Sequence, residues 1–311
     1  MTNATKSRIR WSDLPDAVRA AAEDILGDRV VEAVSQPGGF SPGTADRVRT
    51  AGGRRAFVKA VSPAQNDRSP GLHRTEALIA AALPPAAPAP RLLGSYDDGD
   101  WVALVFTDVE GRHPVTPWDA DELRVVLSTL EVMADTLTPT SIAVAPTAAE
   151  QLAADFAGWR RIAEDPPPDL APWARARLPE LCAAADRGLT ALTGETLCHL
   201  DIRADNLLIG LDGTVSVVDW PWACRGPAWL DSLMILINVQ LHGGHDPEEL
   251  LPELPLAAGV HPADLTGVLA GFTGFFLDAA RRPPPPGIPT VRAFQRAQGD
   301  ALLRWLPRRL R

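Results

Sequence analysis

Three polar side chains fall within the stretch TLCHLDIRADNLLIGLDGTVSVVDW (residues 196–220), and their types suit metal and proton chemistry. Asp201 and Asn206 are five residues apart in a polar loop, and Asp219 follows thirteen residues after Asn206. The segments LLI and VSVVD, separated by a DG turn, predict a hairpin that brings Asn206 and Asp219 together. Amide and carboxylate oxygens are hard ligands that suit Mg2+, which leaves its other positions to phosphates and water. Asp201 can orient or deprotonate a hydroxyl nucleophile.

Lysine is rare in this chain, which contains only Lys6 and Lys59. Lys59 lies in the apolar segment AFVKAV, where burying an unpaired ammonium would be costly. Seventeen residues later, the segment LHRTEALIAAAL predicts a helix that carries Glu76 and ends at two prolines. Glu76 is therefore the expected partner of Lys59.

The motif HLDIRADN with a following VDW resembles the catalytic loop and the metal-binding aspartate of the kinase fold. Trp220 and Pro221 follow Asp219 in place of Phe and Gly, and this departure resembles the aminoglycoside phosphotransferase (APH)-like small-molecule kinases. Leu200 replaces the arginine with which protein kinases contact a phosphorylated activation loop. Only six residues separate Asp219 from Gly226, which leaves no room for such a loop.

The resemblance implies a role for each matched residue of the motif. Asn206 and Asp219 would bind Mg2+ against the phosphates of ATP or GTP. Asp201 would orient the acceptor hydroxyl and take its proton. Arg203 matches the place of the catalytic-loop lysine of protein kinases and would reach the γ-phosphate.

The first third of the chain resembles the nucleotide-binding lobe of kinases. Three stretches, RVVEAVSQ, ADRVRT and RRAFVKAV, predict a β-meander with the glycine loop GGFSPG between the first two strands. Within that loop Ser41 is a candidate phosphate contact. By the same resemblance, Lys59 would grip the α- and β-phosphates and Glu76 would hold it.

Two further predicted strands, PRLLGSYDDG and DWVALVFTDVEG, are joined by an acidic turn. The second ends in a polar segment that resembles the kinase hinge, whose backbone pairs with the adenine edge. The hinge residues expected to bind the nucleotide are Phe106, Asp108 and Val109.

The resemblance implies an α+β fold with two lobes like those of protein kinases. The smaller lobe, residues 1–107, would hold an antiparallel β-sheet with a helix and would bind the nucleotide. Residues 108–117 would form the hinge and linker. The larger, mainly α-helical lobe, residues 118–311, would hold the catalytic loop and the acceptor-binding helices.

Apolar periodicity predicts the helices of the chain. One spans residues 12–26, with Ser12 or Asp13 as its cap, and others span residues 120–137, 150–164, 173–192, 247–251, 262–281 and 289–306. Asp231 begins another apolar helix, either as an N-cap or, as the resemblance implies, as a brace beneath the catalytic loop. His199 is apolar-flanked and is expected to hold the loop backbone from the core.

Composition limits the possible functions. The chain has 311 residues, is 46% hydrophobic and carries a net charge of −9, which argues against nucleic acid as a partner and suits cationic substrates. Three cysteines without metal-ligand spacing predict reduced thiols and a cytoplasmic location. No apolar stretch suggests a signal peptide or a membrane span, so no membrane partner is expected.

These observations predict a phosphotransferase that moves the γ-phosphate of ATP or GTP to a hydroxyl of a small molecule. An aminoglycoside or another hydroxylated antibiotic is the first candidate acceptor, with antibiotic resistance as the consequence. The alternatives are a kinase of an amino alcohol, a sugar or a protein, and a nucleotide-binding pseudokinase or scaffold. The pseudokinase hypothesis predicts damage to the Lys, Asp or Asn positions, and all of them are present.

Overall fold

The computed structural model describes residues 8–310, and within them the chain forms ten strands and eleven α-helices. Lys6 lies outside this range. The strands are β1 (Val30–Ser35), β2 (Thr44–Thr50), β3 (Arg55–Val61), β4 (Leu92–Asp97), β5 (Val102–Thr107), β6 (Gly111–Arg112), β7 (Thr196–Cys198), β8 (Leu207–Gly210), β9 (Val215–Val217) and β10 (Cys224–Gly226). The helices are α1 (Asp16–Leu26), α2 (Ser69–Ala82), α3 (Ala120–Thr136), α4 (Ala148–Phe156), α5 (Gly158–Glu164), α6 (Pro172–Ala176), α7 (Leu178–Thr190), α8 (Leu230–His242), α9 (Pro247–Leu250), α10 (Pro262–Ala280) and α11 (Val291–Arg309).

The described chain divides into two compact units, neither of which is a continuous segment. The first unit comprises residues 8–113, 205–222 and 285–289. The second comprises residues 114–204, 223–284 and 290–310. The lobe boundaries expected at residues 108–117 stay a prediction.

A five-stranded antiparallel sheet with strand order β1-β2-β3-β5-β4 forms the centre of the first unit, as the β-meander and the two later strands predict. Helix α1 packs Ala22 and Leu26 against Val58 and Val105 of the sheet. Helix α2 packs instead with Leu104 and its neighbours. Successive residues of a strand point to opposite faces of a sheet, and Val105 and Leu104 are neighbours in β5. The two helices therefore pack on opposite faces of the sheet.

The start of α1 differs from the prediction. The helix begins at Asp16, and Trp11–Asp13 form a separate 3₁₀ turn, so neither Ser12 nor Asp13 caps α1. The reason is Pro15: the ring of a proline disfavours helical geometry in the residue before it, and Leu14 is extended, with φ −69° and ψ 145°. Gly27 ends the helix in the left-handed conformation, which glycine adopts without steric cost.

The predicted hairpin is present as β8 and β9, which pair in an antiparallel register. A third strand joins it, because residues 111–112, expected to be part of a linker, form β6 and pair with β8. At the open end of the hairpin, the Val218 N–H donates to the Asn206 carbonyl at 2.9 Å. The hairpin therefore brings the backbone of Asn206 next to the residue that precedes Asp219.

The second unit is mainly helical, but two predicted helices are interrupted. The one expected at 150–164 forms α4 and α5, and the one expected at 173–192 forms α6 and α7. A proline lies in the first turn of α7. Because proline lacks the N–H that a helix interior requires, it is compatible with a helix start and interrupts a longer helix.

The expectation that no stretch is long and apolar enough to span a membrane needs a correction at α10. Among residues 8–310, this 19-residue helix is long and apolar enough to do so by length and composition alone. It is, however, mostly buried, and it packs against α5, α7 and α11. Its hydropathy therefore matches that of a core helix.

Glycines allow the backbone of α10 to lie in direct contact with the backbones of α5 and α7. A Cβ added at Gly188 of α7 would come within 3.0 Å of backbone atoms of Gly267 and Val268 in α10. A Cβ at Gly158 of α5 would meet the backbone of Gly274 in the same way. Backbone atoms cannot move aside as a side-chain end can, so these contacts require glycine.

We expect Gly188→Ala to lower the free energy of unfolding by about 1–3 kcal/mol, because the methyl group forces α7 away from α10. Gly71→Ala is the matched control: Gly71 is an exposed residue of α2 with open space around it, so alanine should be neutral or should stabilise the helix by up to about 1 kcal/mol. Chemical unfolding of both variants tests this. Equal stability of Gly188→Ala and wild type would contradict the close α7–α10 approach.

Candidate active site

An ion cluster in the first unit joins Lys59 to two carboxylates. The Lys59 ammonium donates to both carboxylate oxygens of Glu76, at 2.7 and 3.0 Å. It also donates to Oδ1 of Asp219 at 2.5 Å. Lys59 and the apolar Phe57 alternate along β3 with residues that face α1, so Lys59 projects toward α2, which carries Glu76. The predicted partner is therefore in contact, and Asp219 is an additional one.

The two carboxylates determine the charge state of Lys59. Burial by itself lowers the pKa of Lys59, but Asp219 and Glu76 outweigh burial and raise it above its ordinary value. Burial raises the pKa of Glu76, and the charge of Lys59 opposes that rise. Lys59 therefore stays a cation, and its charge is shared between a buried carboxylate and the more exposed Asp219.

The hairpin positions Asn206 and Asp219 through backbone geometry. Asn206 is buried, and Asp219 adopts a left-handed conformation with φ 72°. A non-glycine residue in this region is uncommon and implies local strain that the surroundings must offset. The Trp220 indole N–H donates to the Val217 carbonyl at 2.9 Å and fixes the chain immediately after Asp219.

A cavity of about 280 Å³ contains this cluster, and all of its lining residues belong to the first unit. One part of its wall is apolar and includes Phe57, Pro90, Phe106, Val109, Leu208 and Val218. The polar part includes Arg8, Arg47, Asp205 and Arg112. Eight of the ten predicted site residues line it: Ser41, Lys59, Glu76, Phe106, Asp108, Val109, Asn206 and Asp219. An apolar slot beside convergent charges is typical of a small-molecule site.

Two of these residues differ in detail from what the sequence suggests. The Asp108 carboxylate accepts two hydrogen bonds from Arg47, both at 2.7 Å, and pairs with Arg55 at 3.1 Å. Its side chain is thus committed to arginines, and the prediction for Asp108 concerns its backbone. The Ser41 hydroxyl oxygen is buried without a hydrogen-bond partner, and its role as a phosphate contact stays a prediction.

The oxygen set of the cavity fits a magnesium ion. Asn206 and Asp219 both line the cavity and supply an amide and a carboxylate oxygen, with the Asp205 carboxylate nearby in the chain. Within residues 8–310, no group of three or more His, Cys, Asp or Glu residues could hold a metal. A site with two protein ligands suits Mg2+, which keeps several waters and commonly binds substrate phosphates.

Asp201 and Arg203, the other two predicted site residues, lie in the second unit and contact each other. An Arg203 guanidinium nitrogen donates to Oδ1 of Asp201, and the guanidinium lies over the Phe294 ring, 5.5 Å from its centroid. Arg203 is almost fully buried, whereas Asp201 is partly exposed. In this state Arg203 is a partner of the candidate base.

Buried groups of the same unit hold the segment before Asp201. The Asp231 carboxylate accepts hydrogen bonds from the backbone N–H groups of His199, at 2.7 Å, and Leu200, at 2.9 Å. Asp231 is therefore the brace that the resemblance implies, and it does not cap α8. The Asp201 N–H donates to Nδ1 of His199 at 3.2 Å, so His199 holds the loop from the core as expected. Leu200 has φ 67°, a strained value for a bulky residue.

Sequence reasoning assigned no site role to several residues of the cavity wall, among them Trp220, Arg47 and Arg8. Trp220 follows Asp219 directly, so its position in the motif could have indicated it. Arg47 lies on β2, where alternation indicates a face but not a partner. Arg8 precedes α1 in the chain, and no pattern in the sequence links it to the cavity.

His73, three residues before Glu76 on α2, is buried beside the cluster, and its Nε2 has no hydrogen-bond partner. Burial, helped by the charge of Lys59, lowers its pKa to about 4, while Asp219 and a backbone contact at Ser69 oppose the shift. The unfolded chain, with a histidine pKa near 6.5, then binds more protons than the folded chain between pH 6.5 and 4. The free energy of unfolding therefore decreases as the pH falls through that window, because protonation of His73 favours the unfolded chain.

We expect His73→Gln to reduce the loss of stability between pH 7 and 4 by up to about 3 kcal/mol, since glutamine does not titrate. Denaturant unfolding of both proteins at several pH values measures the difference. The same pH dependence in wild type and variant would show that His73 does not resist protonation in the fold.

Comparison with known protein families gives a match over most of the chain. The model of the APH family, described as the phosphotransferase enzyme family, matches residues 37–267. The chain matches no curated protein sequence.

Several solved structures are similar to the chain over nearly its whole length. An aminoglycoside phosphotransferase from Alicyclobacillus acidocaldarius is 16% identical, with a TM-score of 0.60 and 95% of each chain covered. A thermostable mutant of aminoglycoside phosphotransferase APH(4)-Ia, in a ternary complex with AMP-PNP and hygromycin B, is 14% identical, with a TM-score of 0.62 and coverage of 93% of this chain and 98% of that one. Spectinomycin phosphotransferase APH(9)-Ia, in complex with ADP and spectinomycin, is 12% identical, with a TM-score of 0.52 and coverage of 91% and 90%.

At these identities the structural similarity shows the fold, and it confirms the predicted α+β, protein-kinase-like class. Membership rests on the family model, which covers well over half of the sequence. This chain belongs to the APH family of phosphotransferase enzymes.

Proposed function

We propose that this phosphotransferase moves the γ-phosphate of ATP or GTP to a hydroxyl of a small molecule, with Mg2+ as its metal. The observation that carries the proposal is the cavity in which Lys59, Glu76, Asn206 and Asp219 meet beside an apolar slot. Such a slot suits a purine, and the charged end suits phosphates and a metal. AMP-PNP and ADP in the structures of APH(4)-Ia and APH(9)-Ia support a nucleotide as donor.

Each residue has a part in this reaction. Asn206 and Asp219 would hold Mg2+, which supplies positive charge to the phosphates and restrains their geometry. Lys59, kept charged by its carboxylates, binds the phosphates that are not transferred. Asp201 orients the acceptor hydroxyl and takes its proton. Arg203 neutralises Asp201 at rest and, in our proposal, contacts the γ-phosphate during transfer.

The acceptor that we propose first is an aminoglycoside or another hydroxylated, cationic antibiotic. Hygromycin B and spectinomycin are bound in the structures of APH(4)-Ia and APH(9)-Ia. The net charge of −9 favours the approach of a cation to this chain. Antibiotic resistance and a cytoplasmic location, which the three free cysteines support, are parts of the same proposal.

The test is Mg2+-dependent transfer of the terminal phosphate of ATP and of GTP to a panel of aminoglycosides, other hydroxylated antibiotics, amino alcohols and sugars. We expect product from wild type and a rate at least roughly a hundredfold lower from Asp201→Asn, because the variant keeps the side-chain shape but lacks the base. Nucleotide affinity should stay unchanged in the variant. Tight nucleotide binding without transfer to any acceptor would contradict the proposal and favour a binding scaffold.

Asp231→Asn separates loop positioning from nucleotide binding. The amide cannot accept both backbone hydrogen bonds as the carboxylate does, and its charge is lost, so we expect turnover to fall by about tenfold or more. Affinity for the nucleotide should change by less than about twofold, because the cavity belongs to the first unit. Asp135→Asn, an exposed change on α3, is the matched control and should keep wild-type turnover. Wild-type turnover in Asp231→Asn would show that the loop does not need this carboxylate.

A further inference from the structure

The side chain of Arg8 reaches the cavity wall from the segment before α1 and contacts the glycine loop between β1 and β2. Its Nη1 donates to the Gln36 carbonyl at 2.9 Å, and its Nη2 donates to the Gly38 carbonyl. A Cβ added at Gly39 would lie 3.0 Å from Nη2. The guanidinium is thus fitted closely against residues 36–39.

The hydrogen bonds of Arg8 differ from those of Arg47, another arginine of the wall. Arg47 donates to the Asp108 carboxylate, which cancels its charge within the protein. Arg8 donates to neutral carbonyls, and its Nε is buried without any hydrogen-bond partner. Burial lowers the pKa of Arg8, and the carboxylates of Asp219 and Asp46 oppose that shift, so Asp219 lies within electrostatic reach of the guanidinium. An arginine remains charged under these conditions.

The charges on the cavity wall indicate why a further cation such as Arg8 would favour phosphate binding. The single positive charge of Lys59 is matched by two carboxylates, Glu76 and Asp219, and Asp205 adds a third on the same wall. Lys59 alone therefore leaves a net negative charge on this part of the wall, and a polyphosphate needs further cations, which the arginines of the wall can supply. Arg8 is one of these arginines, and its Nε is buried without a hydrogen-bond partner.

We propose that Arg8 is a phosphate-binding residue of the donor site. Its two Nη atoms hold the glycine loop, and its Nε–H and positive charge serve the phosphates of the nucleotide. The inference rests on the proposed function, because it requires a nucleotide in this cavity. It adds a binding residue from a part of the chain that lies outside the match to the family model, which begins at residue 37.

The experiment measures the affinity of Arg8→Gln, Arg8→Lys and wild type for the triphosphate, diphosphate, monophosphate and free nucleoside, by calorimetry in Mg2+ buffer. The series is that of adenosine or of guanosine, according to which triphosphate the wild type binds. Glutamine can still donate to a carbonyl but carries no charge, whereas lysine keeps the charge. Arg10→Gln, an exposed change two residues away, is the matched control.

We expect Arg8→Gln to weaken triphosphate binding by roughly 10- to 100-fold, because a hydrogen bond to a charged group is lost. The loss should become smaller with each phosphate removed and should vanish for the nucleoside. Arg8→Lys should retain most of the affinity, and Arg10→Gln all of it. The nucleoside also serves as an internal check that the variant is folded.

Two results would overturn the inference while leaving the proposed function intact. Equal loss of affinity for all four ligands would mean that Arg8 only holds the loop, and no loss for any of them would mean that it has no part in binding. A wild-type protein that binds none of the nucleotides would overturn the proposed function and this inference with it.

Discussion

The buried ammonium of Lys59 is the constraint on which the first unit depends. An unpaired charge removed from water costs several kcal/mol, so Lys59 can occupy β3 only if carboxylates surround it. Glu76 comes from α2, and Asp219 comes from the end of a hairpin 160 residues away in the chain. The same contacts that satisfy the charge therefore connect the sheet, its helix and the hairpin, and they concentrate charge in one cavity.

In the second unit, the main constraint is a strained loop that buried groups must hold in place. Leu200 has a left-handed backbone, and such a conformation costs on the order of 1–3 kcal/mol for a residue with a side chain. The Asp231 carboxylate offsets that cost by accepting the Leu200 and His199 N–H groups, although burial raises its own pKa and the contacts with His199 only oppose that rise. The hydrogen bonds to Asp231 thus hold the strained backbone immediately before Asp201.

The sequence predicted the parts of the site that depend on local pattern. The apolar context of Lys59, where an unpaired charge would be costly, and the predicted helix that carries Glu76 indicated the Lys59–Glu76 pair, and the turn residues indicated the β8–β9 hairpin. The sequence could not predict the contacts that form only when distant segments pack together. The contact of Lys59 with its second partner, Asp219, the pairing of arginines with Asp108 and the approach of Arg8 all join segments with no sequence pattern in common. The break between α4 and α5 accompanies a close contact of Gly158 with α10.

The first unit is built from three separate stretches of the chain, and this has a consequence for modularity. Residues 8–113 carry Arg8, Lys59 and Glu76, but Asn206 and Asp219 arrive only with residues 205–222. A continuous piece of the chain that contains the whole donor site must therefore also contain residues 114–204, which belong to the second unit. The residues that line the cavity are therefore encoded on both sides of a long part of the second unit.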